Sequence, residues 1–245
     1  MTDNFNIIYN RLFRYSSLEK MNNDSKYLSI QVIKRRKDPG NESMQTGSYI
    51  IKTYIIRDKK ELEKYESEIK TLCEVFNARA YISVVWRTFE DTSINLLNKI
   101  SAKLKESRNL KGFDWMKNSL SSINSTKPMS NKFIIDIDEC SDINVVTKLI
   151  EIINNCRNNS RFKQSCKLSI PDNIFSNELF IKYTGDDKDY VFDNVLFVVP
   201  TRSGYHIIAH RFDRISFDDA CIKEFGMKFE IKENHITLLY ESTKY

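Results

Sequence analysis

The stretch KFIIDIDE, residues 132–139, decides how the chain is read. Side chains alternate between the two faces of a strand, so Asp136 and Asp138 project to one side while Ile135 and Ile137 point to the other. Two carboxylates on one face beside apolar neighbours repel each other and lose hydration, which is costly unless a cation sits between them. Hard oxygen ligands of this kind suit Mg²⁺ or Mn²⁺, which makes Asp136 and Asp138 candidate metal ligands. The alternative for an isolated Asp-x-Asp is a strand end on a solvated face, or a cap for the helix that follows. The apolar run before the pair places it at the end of a buried strand, a common position for functional groups in α/β sheets, and favours the metal.

Downstream, Asp142 is an N-cap for a predicted helix whose Val145, Val146, Leu149, Ile152 and Ile153 face a core. After a polar stretch comes NVLFVVPTRSGYHIIAHRF, residues 194–212, read as strand, tight turn at Arg202-Ser203-Gly204, and strand. Gly204 allows a tight turn and the close approach of a ligand. Ser203, the turn amides and His206 form a candidate phosphate-oxygen site. Taken alone, the same string reads better as a hairpin turn with a satisfied core histidine, because a histidine in a strand is usually structural. Residues 216–225 are predicted helical, and 227–242 form a closing hairpin around Glu233-Asn234.

Upstream, residues 1–24 predict a short helix ending in the polar Asn22-Asn23-Asp24. Strands over 26–36 and 48–56 pair across a loop at 38–47 marked by Asp-Pro-Gly. Leu62, Tyr65, Ile69, Leu72 and Phe76 recur at helical steps over 59–76. ARAYISVVW (78–86) is a buried strand, 90–106 an amphipathic helix, and 108–131 irregular or weakly helical, with a subdomain junction near its end. Strands in hairpins beside strand–helix–strand units give a mixed α/β or α+β fold, not a doubly wound sheet. The expected parts are 1–125 and 126–245.

Basic residues number 38 against 33 acidic, a net charge of +5, which permits a nucleic-acid groove without demanding one. Arg79 and Arg87, at the ends of the 78–86 strand, are candidate nucleic-acid contacts or else ion pairs. Lys34-Arg35-Arg36-Lys37 is either a further contact or a solvated face. His210 and His235 read as structural, and Trp86 and Trp115 as core rather than base-stacking platforms. Five cysteines, an odd number with no Cys-x-x-Cys pair, argue against zinc and disulfides and for reduced thiols in a cytoplasm. No apolar run approaches the roughly 18 residues of a membrane span, and no signal pattern opens the chain. No G-x-x-x-x-G-K-[ST] or G-x-S-x-G string occurs, against a P-loop helicase and an α/β-hydrolase.

Taken in order, IDID (135–138) and PTRSGYHII (200–208) resemble the archaeo-eukaryotic primase superfamily, in particular its phage- and plasmid-borne primase-polymerase branch. The resemblance covers about residues 75–215. It implies an RNA-recognition-like palm and an N-terminal α/β part. It further implies a nucleotidyltransferase that makes or extends primers on single-stranded DNA from NTP or dNTP. Asp136 and Asp138 would bind Mg²⁺ or Mn²⁺. His206 would hold the triphosphate with Ser203, Gly204 and Arg202 around it, so that Asp136, Asp138 and His206 are the implied catalytic residues. Any replicative helicase would be a separate protein, and a viral chain would work in the host cytoplasm. Two features depart from the family: Val85-Trp86 stand in place of its Asn-Pro, and its third acidic strand motif is absent, leaving Asp218, Asp219, Glu230 and Glu233 as candidates. A primase-fold protein that binds nucleotide or single strands without polymerising, and a metal-dependent phosphodiesterase or nuclease, stay open as alternatives.

Overall fold

Phe133, Ile134, Ile135 and Ile137 are all buried, so both faces of the strand they share are covered, and the architecture follows from what covers each. The computed structural model describes residues 1–16, 25–139, 142–156 and 194–242. The polar Asn22-Asn23-Asp24, the stretch 157–193, Cys140 and Cys166 lie outside them. In chain order the elements are β1 (Thr2–Asp3), α1 (Phe5–Ser16), β2 (Lys26–Arg35), β3 (Ser48–Ile56), α2 (Lys59–Phe76), β4 (Arg79–Ser83) and β5 (Arg87–Thr88). They continue as α3 (Phe89–Ser107), α4 (Trp115–Ser125), β6 (Lys132–Ile137), α5 (Ile143–Asn155), β7 (Val195–Pro200), β8 (Tyr205–His210), α6 (Arg214–Phe225), β9 (Glu230–Glu233) and β10 (Ile236–Glu241).

The strands form two sheets, with every pairing antiparallel, which makes the fold α+β. The first has the order β1-β10-β4-β2-β3, with β5 on the end of β2. The second has the order β7-β8-β6-β9. Within it, among the described residues, β6, α5, β7, β8, α6 and β9 come in the order β-α-β-β-α-β, a split βαβ connectivity.

Local chemistry sets the helix starts. Asp58 accepts from the Glu61 amide at 2.8 Å, Asp142 from Asn144 at 2.9 Å and Asp213 from Ile215 at 3.0 Å, each satisfying an amide that the first turn leaves without a partner. One face of the second sheet, Phe133, Ile135, Ile137, Val198, Ile207 and Ala209, packs on α5 and α6. The other face contributes Ile134, Leu196, Phe197, Val199 and Ile208 to a core shared with the first sheet, α1 and α2. Asn4 ties the halves together, its side-chain amide donating to Pro200 O at 2.9 Å and Leu238 O at 3.0 Å.

Three expectations change. The closing hairpin over 227–242 does not form: β9 pairs with β6, whereas β10 crosses to the first sheet between β1 and β4. A polar Glu233-Asn234 tip looks like a hairpin turn, but Leu238, Leu239 and Tyr240 are buried in the first sheet. The final strand of the expected 126–245 part thus belongs to the sheet of the 1–125 part. The stretch 108–131, expected irregular or weakly helical, resolves in favour of a helix, α4, capped by Asp114 on the Lys117 amide at 2.8 Å. The 78–86 strand stops at Ser83, because Val84, Val85 and Trp86 turn into the core out of ladder register.

Candidate functional site

Direct cross-strand partners share a face of a sheet. Asp136 on β6 is opposite His206 on β8 and opposite Glu230 on β9. Ile134 is opposite Ile208 and Lys232 in the same way, and Ile134 and Ile208 lie in the core shared with the first sheet. Asp136, His206, Glu230 and Lys232 therefore all stand on the face turned toward the first sheet. Where the apolar packing stops, the two sheets part into a cleft of about 480 Å³. The second sheet lends it Asp136, Asp138, Arg202, Ser203, His206 and Lys232; the first lends Arg35, Arg79, Tyr81, Ile236 and Leu238, with Lys37 and Asp38 from the following loop.

Asp136 is the centre of the polar network. Its Oδ1 lies 3.1 Å from His206 Nε2, and its Oδ2 accepts from the Lys232 ammonium. His206 Nδ1 is 2.8 Å from Thr237 Oγ1 on β10, so the ring is held from both sheets. Lys232 Nζ also lies 3.2 Å from Glu230 Oε2. Burial alone would raise the Asp136 carboxyl, but hydrogen bonds and charge from His206 and Lys232 outweigh it and hold the group well below the usual carboxylate range. Burial would lower Lys232, and Asp136 and Glu230 reverse that and raise it.

A second cluster closes the other end. Asp38, buried, meets Arg79 Nη2 at 2.6 Å, and Glu241 Oε1 lies 3.3 Å from the same atom. Arg202, half-exposed, lies 3.9 Å from Glu241. Burial raises the Glu241 carboxyl, against the two arginines.

Asp136, Asp138, Arg202, Ser203 and His206 line one cleft, joined by Arg79, which the sequence set apart and which is ion-paired there; three residues behave otherwise. Arg87 is buried and its Nε donates to Thr126 O at 3.2 Å, which ties it to the C-cap of α4 and turns it away from solvent. Gly204 is required by the protein's own backbone rather than by a ligand: a Cβ there would fall 1.8 Å from Ile137 O. Trp86 is core, edge-on to Phe13, whereas Trp115 is half-exposed on α4. The sequence reading missed Lys232 and Thr237, which no motif surrounds, took His235 as structural, and placed Arg35 only within a basic run. Arg35 donates to Tyr81 Oη at 2.7 Å.

The donor set does not fit a two-metal centre as it stands. Both Asp136 oxygens have cationic or imidazole partners, Asp138 lies on the exposed turn, and among the described residues no group of three or more His, Cys, Asp or Glu is assembled that could hold a metal ion. The Lys232 ammonium stands beside Asp136 instead. No helix among the described residues is long and apolar enough to cross a membrane. Compared with family models, curated proteins and solved structures, the chain matches none.

Proposed function

We propose that the chain binds the phosphates of a nucleotide or of single-stranded nucleic acid in the cleft between its sheets, as a primase-like protein that does not depend on a metal for binding. The observation that carries this is the lining: Arg35, Lys37, Arg79, Arg202 and Lys232 face Asp38, Asp136 and Asp138, with His206 and His235 added. Guanidinium and ammonium groups gathered in a concave site suit phosphate oxygens. Arg79 is fixed by Asp38 and Glu241, so it presents a preset donor array, while Arg202 and Lys37 are exposed enough to meet a ligand.

A second reading, a primase-type nucleotidyltransferase using Mg²⁺ or Mn²⁺ with NTP or dNTP on a single-stranded DNA template, is favoured by one feature. Asp136, His206 and Glu230 share one cross-strand row, and Glu230 offers the acidic residue that the motifs lacked. Catalysis there would require Lys232 to leave Asp136.

Fluorescence anisotropy with a labelled single-stranded oligonucleotide and a labelled nucleotide, in EDTA, tests the proposal. Binding is expected without divalent ions, and Arg202→Ala is expected to reduce the salt slope by about 1, one phosphate contact. No binding of either probe by the folded chain refutes it. Labelled nucleotide incorporated with Mg²⁺ or Mn²⁺, and abolished by Asp136→Ala, selects the nucleotidyltransferase instead. Degradation of the strand without nucleotide selects a metal-dependent nuclease.

A further inference from the structure

We infer that Lys232 is a resident cation, which holds the Asp136 carboxylate from within the chain in the place where a divalent metal would otherwise be needed. The position is built by three strands. Asp136 on β6 lies between His206 on β8 and Glu230 on β9, and Lys232, two residues along β9 from Glu230, is on the same face. Its Nζ contacts Asp136 Oδ2 and lies 3.2 Å from Glu230 Oε2. One positive charge thus bridges two carboxylates from neighbouring strands, the arrangement for which a bound ion would be recruited. The remaining Asp136 oxygen is taken by His206, which Thr237 orients from the opposite sheet. The Asp136 side chain is 9% exposed, so the lysine neutralises a carboxylate that water reaches poorly.

This has a chemical consequence. A metal brings its charge only when bound, whereas a lysine is there as soon as the chain folds. The cleft is then assembled and carries its basic character without any divalent ion. That consequence for anion binding rests on the phosphate-site reading above; the place of Lys232 beside Asp136 does not.

Mn²⁺ binding to the full chain, followed by loss of the electron paramagnetic resonance signal of the free ion, separates the possibilities. The chains compared are wild type, Asp136→Asn, Lys232→Ala, Lys232→Met, Lys232→Arg and the Lys232→Ala/Asp136→Asn double variant. Wild type and Lys232→Arg are expected to show no Asp136-dependent Mn²⁺ site. Lys232→Ala and Lys232→Met are expected to bind Mn²⁺ about tenfold or more tighter than wild type, the scale on which one neighbouring group changes metal affinity. The double variant is expected to lose that gain. Circular dichroism checks folding, and Lys232→Met keeps the apolar stem if Lys232→Ala is unstable. Wild-type Mn²⁺ affinity that already falls in Asp136→Asn overturns the inference, and this comparison needs no lysine variant. Folded Lys232→Ala and Lys232→Met chains with no gain in Mn²⁺ affinity overturn it as well. Failure of nucleotide and oligonucleotide to bind in EDTA refutes the phosphate reading alone and leaves these Mn²⁺ outcomes to decide the role of Lys232.

Discussion

Gly204→Ala is the substitution whose cost the geometry states most directly. An added Cβ would meet Ile137 O at 1.8 Å and Ile137 C at 2.9 Å. Ordinary contact lies near 3.5–4 Å, so the nearest approach is short by roughly 2 Å. Both obstructing atoms are backbone and cannot rotate away. Gly204 does not occupy the left-handed region, so alanine brings no intrinsic backbone strain and the cost is steric. Relief requires β8 to part from β6 where Ile137 faces Tyr205 and Asp136 faces His206. Losing about two ladder hydrogen bonds costs about 2 kcal/mol. Residual overpacking adds about 1–3 kcal/mol. The sum, about 3–5 kcal/mol, corresponds to a fall in melting temperature of about 6–20 °C for a chain of this size. Urea unfolding followed by circular dichroism measures it. Gly47→Ala is the control: nothing lies within 4 Å of a Cβ there and its φ is ordinary, so its effect should stay within about 0.5 kcal/mol or be slightly stabilising. A Gly204→Ala chain that loses less than about 1 kcal/mol would refute the view that Gly204 serves strand packing.

Two further outcomes concern the network and the buried arginine. The Asp136 carboxyl is lowered in the folded chain, so its stabilisation is fully present above the unfolded value near 4 and is lost as the pH falls below it. Asp136→Asn is expected to lower stability at pH 7 by about 2 kcal/mol, less than for a fully buried pair because Glu230 remains beside Lys232, and to flatten the acid limb between pH 4 and pH 2. Urea midpoints across that range check both, and an acid limb as steep as that of wild type would be the contrary result. Arg87→Ala is expected to cost about 2–3 kcal/mol by emptying a buried site and leaving Thr126 O short of a donor, while oligonucleotide binding by the folded variant stays unchanged. A weakened oligonucleotide affinity at unchanged stability would return Arg87 to the binding surface.

Much of the site could be read from sequence because its reasons are short-range. The alternation in KFIIDI sends Asp136 to one face and Ile135 and Ile137 to the other, and the two isoleucines are buried against α5 and α6 as that alternation requires. The SGYH string delivers His206 to the row of Asp136 because β8 runs antiparallel beside β6. The reading of Gly204 had the right constraint and the wrong neighbour: glycine marks a close approach, and only the register shows that the approach is to Ile137. Arg87 failed for the opposite reason. A charged residue at a strand end looks solvent-facing, and α3 and Thr126, the C-cap of α4, meet it only after the chain has folded back.

The sequence by itself determined the elements and their local polarity: strand period, the Asp142 cap, the helical spacing over 59–76, and two motifs at strand ends. These depend on neighbours a few residues apart, within reach of backbone geometry and side-chain alternation. The tertiary structure alone decided what the motifs meet. Lys232 reaches Asp136 from 96 positions away, Arg79 meets Asp38 from 41, and β10 leaves the expected hairpin to join the first sheet. Such pairings rest on which strand edges are open and which faces remain apolar once the sheets pack, and no local pattern carries that information. The carboxylate that the sequence offered to a metal therefore acquires an ammonium, because the edge strand β9 of the second sheet carries a lysine on the same face.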